Sequence, residues 1–173
     1  PKRCGHTGVK EVVDRDVAIE RISAAVEARR QGADLVIVAR TDARSAFAQR
    51  YGEDRALDEA LWRLKAFADL GADVLFLEAP RSEEEMLRFC AEVPGKRMAN
   101  MLEGGVTPLL RPEQLSAMGF HLVAYPLTLL ASAAFAMRQA VSDLQNGKTP
   151  ETMLSFSELK ALVGFDIYDN PAL

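Results

Sequence analysis

The chain has 173 residues, of which 49% are hydrophobic and 27% charged, and its formal net charge is −4. This composition is typical of a globular protein with one buried core, and without a basic patch it argues against a nucleic-acid partner. The longest apolar stretch, Leu127 to Met137, is too short to cross a bilayer, so no membrane partner is expected. Two cysteines make no disulfide framework, which together with the lack of a signal-peptide pattern predicts a reducing, cytoplasmic location.

Apolar runs alternate with amphipathic helical patterns along the chain, which is typical of an α/β protein. The continuous apolar run over residues 35–40 favours a parallel strand that is buried on both faces. Ser82 and Glu85 have the spacing of a helix-capping box. The predicted order begins with helix 14–31, strand 35–40, a polar connection over 41–55, helix 57–70 and strand 74–78. A helix capped at residue 82 and broken at residue 94, strand 97–101, helix 112–119 and strand 120–125 follow. The chain then continues with helix 127–145 and a tail that contains one helix near 156–163, after which it frays.

Two fold classes remain open after this pass along the chain. Gly32-Ala33-Asp34-Leu35 and Gly71-Ala72-Asp73-Val74 each join a helix to a strand, which indicates repeated β/α units. About four such units are present, whereas a complete (β/α)8 barrel needs roughly 250 residues. The alternatives are therefore part of a barrel and a four-stranded doubly wound sheet, although no glycine-rich dinucleotide fingerprint supports the second.

Each predicted strand ends in a polar or special residue, and this pattern favours the barrel. The four residues are Arg40, Glu78, Asn100 and Tyr125. Carboxyl ends of parallel strands meet at one edge, where barrels and open α/β sheets build their sites. We therefore expect an anion site with a polar floor, although Arg40 and Glu78 could be a structural rim pair, and Asn100 could close a loop through an Asx turn.

Cys4 is the other chemically suggestive residue, because Lys2, Arg3 and His6 surround it. Cationic neighbours lower the pKa of a thiol, and such a thiol can act as a general acid, a base or a nucleophile. A chance surface cysteine in a basic tail is the competing interpretation. Cys90 lies at an apolar helical position and is predicted to belong to the core.

Five segments, in order along nearly the whole chain, resemble one known family. They are Pro1-Lys2-Arg3-Cys4-Gly5-His6 with Lys10, and residues 38–43, 76–80, 99–108 and 119–127. They resemble the catalytic loop and the fifth to eighth barrel strands of the isocitrate lyase/phosphoenolpyruvate mutase superfamily. The Cys-Gly-His loop and Tyr125-Pro126-Leu127 are most similar to its 2-methylisocitrate lyase and 2,3-dimethylmalate lyase branch.

The resemblance implies a fold and a site. The fold would be α/β, the C-terminal half (strands 5 to 8) of a (β/α)8 TIM barrel over residues 1–148, with the catalytic loop at 1–13 and a helical tail at 149–173. Cys4 would be the catalytic general acid. Gly5, His6, Arg40, Glu78 and Asn100 would bind substrate, with Glu78 holding either Arg40 or a substrate hydroxyl. No role is implied for Asp42, Glu103 or Tyr125; for Asp42 a loop carboxylate, or one that supports the site from behind, is favoured.

The resemblance also implies an activity. It is a Mg²⁺-dependent carbon–carbon lyase that cleaves a small 2-hydroxy di- or tricarboxylate, such as 2-methylisocitrate or 2,3-dimethylmalate, to pyruvate and a second carboxylate. Acidic Mg²⁺ ligands are expected upstream of this chain, since no metal residue is assigned within it. A last helix exchanged between subunits implies a homodimer or homotetramer. The alternatives are a phosphonate mutase, an oxaloacetate hydrolase or decarboxylase, and an inactive fragment.

Overall fold

A computed structural model describes residues 10–169, except for the side chains of Gln49, Asp166 and Asp169. The predicted site residues Cys4, Gly5 and His6 therefore lie outside the described residues. The chain divides into two compact units, residues 1–127 and 128–173. The predicted division at residue 148 stays a prediction. Within the described part, no helix combines the length and the apolar character that a bilayer crossing requires.

The first unit is a parallel α/β structure, as predicted. Its four strands form one sheet in the order β1-β2-β3-β4, so neighbours in the chain are also neighbours in the sheet. The described elements are α1 (Arg15–Arg30), β1 (Val38–Thr41), α2 (Ala43–Tyr51), α3 (Glu53–Leu70), β2 (Val74–Leu77), α4 (Glu83–Glu92), β3 (Lys96–Asn100), α5 (Pro112–Met118) and β4 (Leu122–Ala124).

Local sequence signals explain where several of these helices begin and end. Ser82 caps α4 by accepting the Glu85 N–H at 3.2 Å, which confirms half of the predicted capping box. Gly71 and Gly119 end α3 and α5 in the left-handed conformation that glycine adopts without steric cost. Pro112 opens α5, where its missing N–H would have no partner in any case.

One face of the sheet packs against the helices and forms the core. Paired residues of a parallel sheet point to the same side, so one face presents Ala39, Leu75, Leu77, Ala99 and Met101. These side chains pack in one cluster with buried side chains of the surrounding helices, among them Leu61, Leu64, Phe67, Met86, Phe89 and Leu115.

The opposite face of the sheet is apolar but partly open. Besides Val38, which pairs with Val74, it presents one row across the four strands that consists of Arg40, Phe76, Met98 and Leu122. Phe76 is buried, whereas Val38 and Leu122 on the two edge strands are 46% and 44% exposed. The prediction that the first strand is buried on both faces was therefore wrong, because the described residues leave the outer strand partly uncovered on this side.

The polar connection predicted over residues 41–55 was also wrong. Residues 43–51 form α2, and α3 begins at Glu53, four residues before the predicted start. Gly52, at φ 85°, separates the two helices. The basic residues of α2 hid its helical pattern, because Arg44 is charged and yet lies 1% exposed in the interior.

The second unit is helical. It contains α6 (Thr128–Gln145), α7 (Phe156–Leu162) and α8 (Phe165–Asp169). The first two match predicted helices, whereas α8 replaces the frayed end that we expected. Ser155 and Glu158 form a complete capping box at the start of α7. The described residues of α6 include none that is buried, and its apolar side chains are exposed within the chain.

Candidate active site

Arg40 and Glu78 meet at the carboxyl end of the sheet, as the strand-end pattern predicted. Nη2 of Arg40 lies 3.4 Å from Oε2 of Glu78. The Glu78 N–H also donates to the carbonyl of Thr41 at 3.1 Å, which carries the strand ladder one residue past β2. Glu78 is only 1% exposed, so its carboxylate is kept from bulk water and fixed beside a cation.

The guanidinium of Arg40 is held from several sides. Its Nε donates to Oδ1 of Asp42 at 2.6 Å and its Nη2 to Oδ2 at 3.1 Å, which is a bidentate contact. Its Cζ also lies 5.1 Å from the centre of the Phe76 ring. A planar cation fixed in this way is preorganised to bind a carboxylate.

Lys10 extends this charged group to the first described residue. Its Nζ lies 3.7 Å from Oδ2 of Asp42. The Lys10 side chain is only 15% exposed, which is low for a lysine. Lys10, Asp42, Arg40 and Glu78 therefore form a row of alternating charges along the rim.

Asn100 ends β3 on the same sheet face as Arg40. Phe76 pairs with Met98, and Glu78 and Asn100 each lie two residues further along their chains. The two side chains therefore emerge at one level on adjacent segments. Tyr125 follows β4 and is half-exposed, and its role stays open.

The backbone after Glu78 is strained. Ala79 has φ 57°, in the left-handed region that residues other than glycine rarely adopt. Such outliers persist where the surrounding structure holds them, and they cluster at functional sites. Here the strain directly follows the buried carboxylate of the rim, before Pro80.

A second ion-pair network is built on the buried side chain of Arg44. Arg44 donates to both carboxylate oxygens of Glu85, at 2.9 and 2.6 Å, and pairs with Glu53 as well. Burial raises the pKa of Glu85, but the hydrogen bond from Arg44 and that from the Arg81 N–H outweigh it, so the pKa lies below its ordinary value. The network thereby ties together the first turns of α2, α3 and α4.

The second cysteine, Cys90, is partly buried and packs against the core, where the sequence placed it. Burial raises the pKa of the Cys90 thiol, and the nearby charge of Arg97 only partly offsets this. A half-buried, protonated thiol is a poor nucleophile. Cys4, the predicted catalytic thiol, lies outside the described residues together with Gly5 and His6.

The described residues do not fit a complete metal site. Across residues 10–169, no three histidine, cysteine or acidic side chains gather as a metal would require. At the rim, the carboxylates of Asp42 and Glu78 both face Arg40.

The model of the phosphoenolpyruvate phosphomutase family matches residues 3–145, which is most of the chain. The chain belongs to the phosphoenolpyruvate phosphomutase family. This family membership agrees with the resemblance found in the sequence, and it spans every strand that carries a rim residue.

Proteins similar to this chain include named lyases. The chain is 39% identical to 2,3-dimethylmalate lyase of Eubacterium barkeri, over 96% of this chain and 56% of that protein. It is 43% identical to probable 2-methylisocitrate lyase 2 of Corynebacterium glutamicum, over 84% of this chain and 45% of that protein. The chain thus spans about half the length of the curated relatives it matches.

A solved structure extends the similarity to the fold. Oxaloacetate acetylhydrolase in complex with 3,3-difluorooxalacetate matches with a TM-score of 0.80 and 36% identity, over 99% of this chain and 57% of that chain. Both comparisons therefore reach almost the whole of this family member but only about half of its relatives.

The sequence pattern anticipated part of this site and missed part. It predicted that Arg40 and Glu78 would meet, and the structure brings them together. It assigned no role to Asp42 and gave Lys10 only a place in the loop motif. The favoured interpretations of Asp42, a loop carboxylate or one that supports the site from behind, did not name its contact with Arg40.

Proposed function

We propose that this chain is the C-terminal half of a carbon–carbon lyase that cleaves a 2-hydroxy di- or tricarboxylate to pyruvate and a second carboxylate. The observation that carries the proposal is the Arg40–Glu78 pair at the carboxyl rim of the sheet, with Asn100 on the same face. Membership of the phosphoenolpyruvate phosphomutase family and similarity to named lyases support the same chemistry.

The half-barrel part of the proposal is supported by the sheet. Its four strands follow each other in sequential order, whereas a doubly wound sheet reverses its order at a switch point. Its second face carries apolar side chains on both edge strands, Val38 and Leu122, that are exposed. Four further strands would cover this face and pair both sheet edges, and the relatives are about twice as long.

Each rim residue has a proposed task in the reaction. Arg40 binds a substrate carboxylate through its planar guanidinium, and Asn100 donates a hydrogen bond to that carboxylate. Glu78 keeps Arg40 oriented or accepts a hydrogen bond from the substrate hydroxyl. These groups fix the substrate before negative charge develops, which lowers the cost of reaching the transition state.

Cys4 has the proposed proton-transfer role, supported by its basic neighbours in the sequence. The carbon–carbon bond breaks, and its electron pair stays on the carbon beside the second carboxylate. The substrate hydroxyl gives its proton to a base, proposed to be the Glu78 carboxylate that accepts its hydrogen bond, and its oxygen becomes the keto group of pyruvate. The Cys4 thiol then protonates the carbanion, and in the reverse reaction its thiolate removes that proton, while Gly5 and His6 bind the departing carboxylate.

The cofactor and the assembly belong to the same proposal. Mg²⁺ is proposed to be held by acidic residues outside this chain, because the described residues hold no metal cluster. A homodimer or homotetramer that exchanges the terminal helix is supported by α6, whose apolar side chains are exposed within the chain. The proposed partner is otherwise a small carboxylate, without nucleic acid or membrane, in the cytoplasm.

Pyruvate release tests the proposed function. The protein that carries this chain, assayed with Mg²⁺, should form pyruvate from 2-methylisocitrate or 2,3-dimethylmalate. Cys4→Ser should lower kcat by at least about 100-fold, because a serine hydroxyl is a far weaker acid. Cys90→Ser is the matched control and should keep full activity. Unchanged turnover in the Cys4 variant would remove this thiol from the mechanism.

A second candidate function is oxaloacetate hydrolysis or decarboxylation on the same scaffold, and the fold match to oxaloacetate acetylhydrolase favours it. The same assay separates the candidates when it is scored for oxalate and phosphonopyruvate as well as pyruvate. Oxalate from oxaloacetate would support the hydrolase, and phosphonopyruvate would support a mutase. Turnover of no substrate, with a folded oligomer that binds no Mg²⁺, would support an inactive fragment.

A further inference from the structure

We propose that Asp42 is a positioning residue, which orients Arg40 for substrate and ties the Lys10 end of the chain to the rim. The inference rests on the proposed function for its kinetic part only. It is drawn from the Asp42 carboxylate, which lies at the N-cap position of α2 but contacts Arg40 and Lys10 instead of capping the helix.

Asp42 occupies the N-cap position of α2 but makes no capping hydrogen bond with its side chain. An aspartate at an N-cap ordinarily accepts a backbone N–H of the first turn. Here the Ser45 and Ala46 N–H groups donate to the backbone carbonyl of Asp42 at 3.1 Å, and Thr41 Oγ1 accepts the Ala43 N–H at 3.2 Å. The helix is thus begun without the Asp42 carboxylate, which is turned toward the rim.

The carboxylate contacts two cations that come from separate parts of the chain. It binds Nε and Nη2 of Arg40 at 2.6 and 3.1 Å, and Nζ of Lys10 lies 3.7 Å from Oδ2. The Asp42 side chain is 23% exposed, so water screens these contacts less than at an open surface. One side chain therefore sets the plane of the guanidinium and holds the segment that leads into α1.

The Asp42 carboxylate should have opposite effects on substrate binding and on turnover. The negative charge of Asp42 weakens the attraction between the rim and an anionic substrate. Its bidentate contact keeps the guanidinium in the orientation that the reaction needs. Removing the charge should therefore favour binding and impair turnover, whereas loss of a merely structural residue would impair both or neither.

The kinetic test is Asp42→Asn in the complete enzyme. We expect kcat to fall about tenfold, while KM stays unchanged or falls. Asp58→Asn is the matched control, because Asp58 pairs with Arg88 on the helical surface away from the rim. A kcat equal to that of the wild type, or a tenfold rise in KM at constant kcat, would overturn the orienting role.

Tryptic cleavage after Lys10 tests the tether without any enzymatic activity. Trypsin must bind the lysine side chain before it cleaves. In the native chain the Lys10 side chain is 15% exposed and paired with Asp42, which should slow cleavage. We expect Asp42→Asn to speed native-state cleavage at this bond at least about fivefold, with no change in Asp58→Asn. Equal rates in the two variants would overturn the tether. If the wild type turned over no substrate, the proposed function would fail while this readout still decided the Lys10–Asp42 contact.

Discussion

Arg40 is the rim side chain whose chemistry is hardest to replace, because its fork serves Asp42 and faces Glu78 at the same time. A lysine keeps the charge but cannot make planar, bidentate contacts. Arg40→Lys should weaken carboxylate binding by about 1.5–3 kcal/mol, because this is the usual contribution of a hydrogen bond to a charged group. Such a loss of binding free energy should raise KM roughly 10- to 100-fold. Steady-state pyruvate formation measures this, and an unchanged KM would contradict it.

Arg88→Lys is the matched control for that experiment. Arg88 makes comparable contacts with Asp58 and Glu92, at 2.6 Å each, on the helical surface. Exposed ion pairs contribute little to stability, so the control should keep the kinetic constants of the wild type. A similar loss in both variants would show that arginine chemistry in general, and not the rim position, matters.

The sequence predicts individual rim residues only where a local rule places them. Arg40 and Glu78 directly follow apolar runs, and parallel strands deliver such residues to one edge. The Lys10–Asp42 contact joins residues 32 positions apart. It depends on how the segment before α1 folds back, which no local pattern encodes.

Among the secondary-structure elements, α2, α3 and α4 are linked by one partly buried carboxylate. Glu85 contacts Arg44 and the Arg81 N–H, and its pKa is lowered in the folded chain. A lowered pKa means that the stabilisation is fully present above the unfolded value, near 4.3, and is lost as the pH falls through the folded value. The free energy of unfolding should therefore fall below about pH 4.3.

Glu85→Gln should remove most of that acid dependence. It should also destabilise the chain by about 3 kcal/mol at neutral pH, because Arg44 would keep a buried charge with a weakened partner. Urea unfolding at pH 3.5 to 7 measures both effects. Glu84→Gln is the control, since Glu84 lies exposed on the same helix. An identical pH profile in wild type and Glu85→Gln would show that this carboxylate does not couple stability to pH.

The order of elements could be predicted from the sequence, whereas several boundaries could not. Alternating apolar runs and helical patterns predicted a parallel α/β unit. Strands have continuous or period-two apolar runs, whereas helices repeat apolar residues with a period of 3.6, and the two patterns are easily distinguished. Helix α2 was missed because its Arg44 is paired with Glu53 and Glu85, which come from α3 and α4. From the sequence alone, a charged residue such as Arg44 is expected to lie at the surface, and only its partners in the fold explain its burial.

At the scale of the whole molecule, the most informative feature is the apolar surface that the chain leaves exposed. On α6, exposed side chains recur along one side of the helix at Leu130, Met137, Val141 and Leu144. This spacing of seven, four and three residues is typical of a helix face that packs against another element. Exposed apolar stripes of this kind favour association between copies of a chain.

Met137→Glu places a charge in the middle of that stripe and tests the proposed exchange of the terminal helix. We expect the wild type to sediment as a dimer or tetramer and the variant to dissociate at least about tenfold more readily, because a buried, unpaired carboxylate is strongly unfavourable. Ser142→Glu adds the same charge to the opposite side of α6 and should leave the assembly intact. Equal association of both variants would mean that the stripe is not the contact, and identical sedimentation as monomers at high concentration would remove the exchanged helix from the proposal.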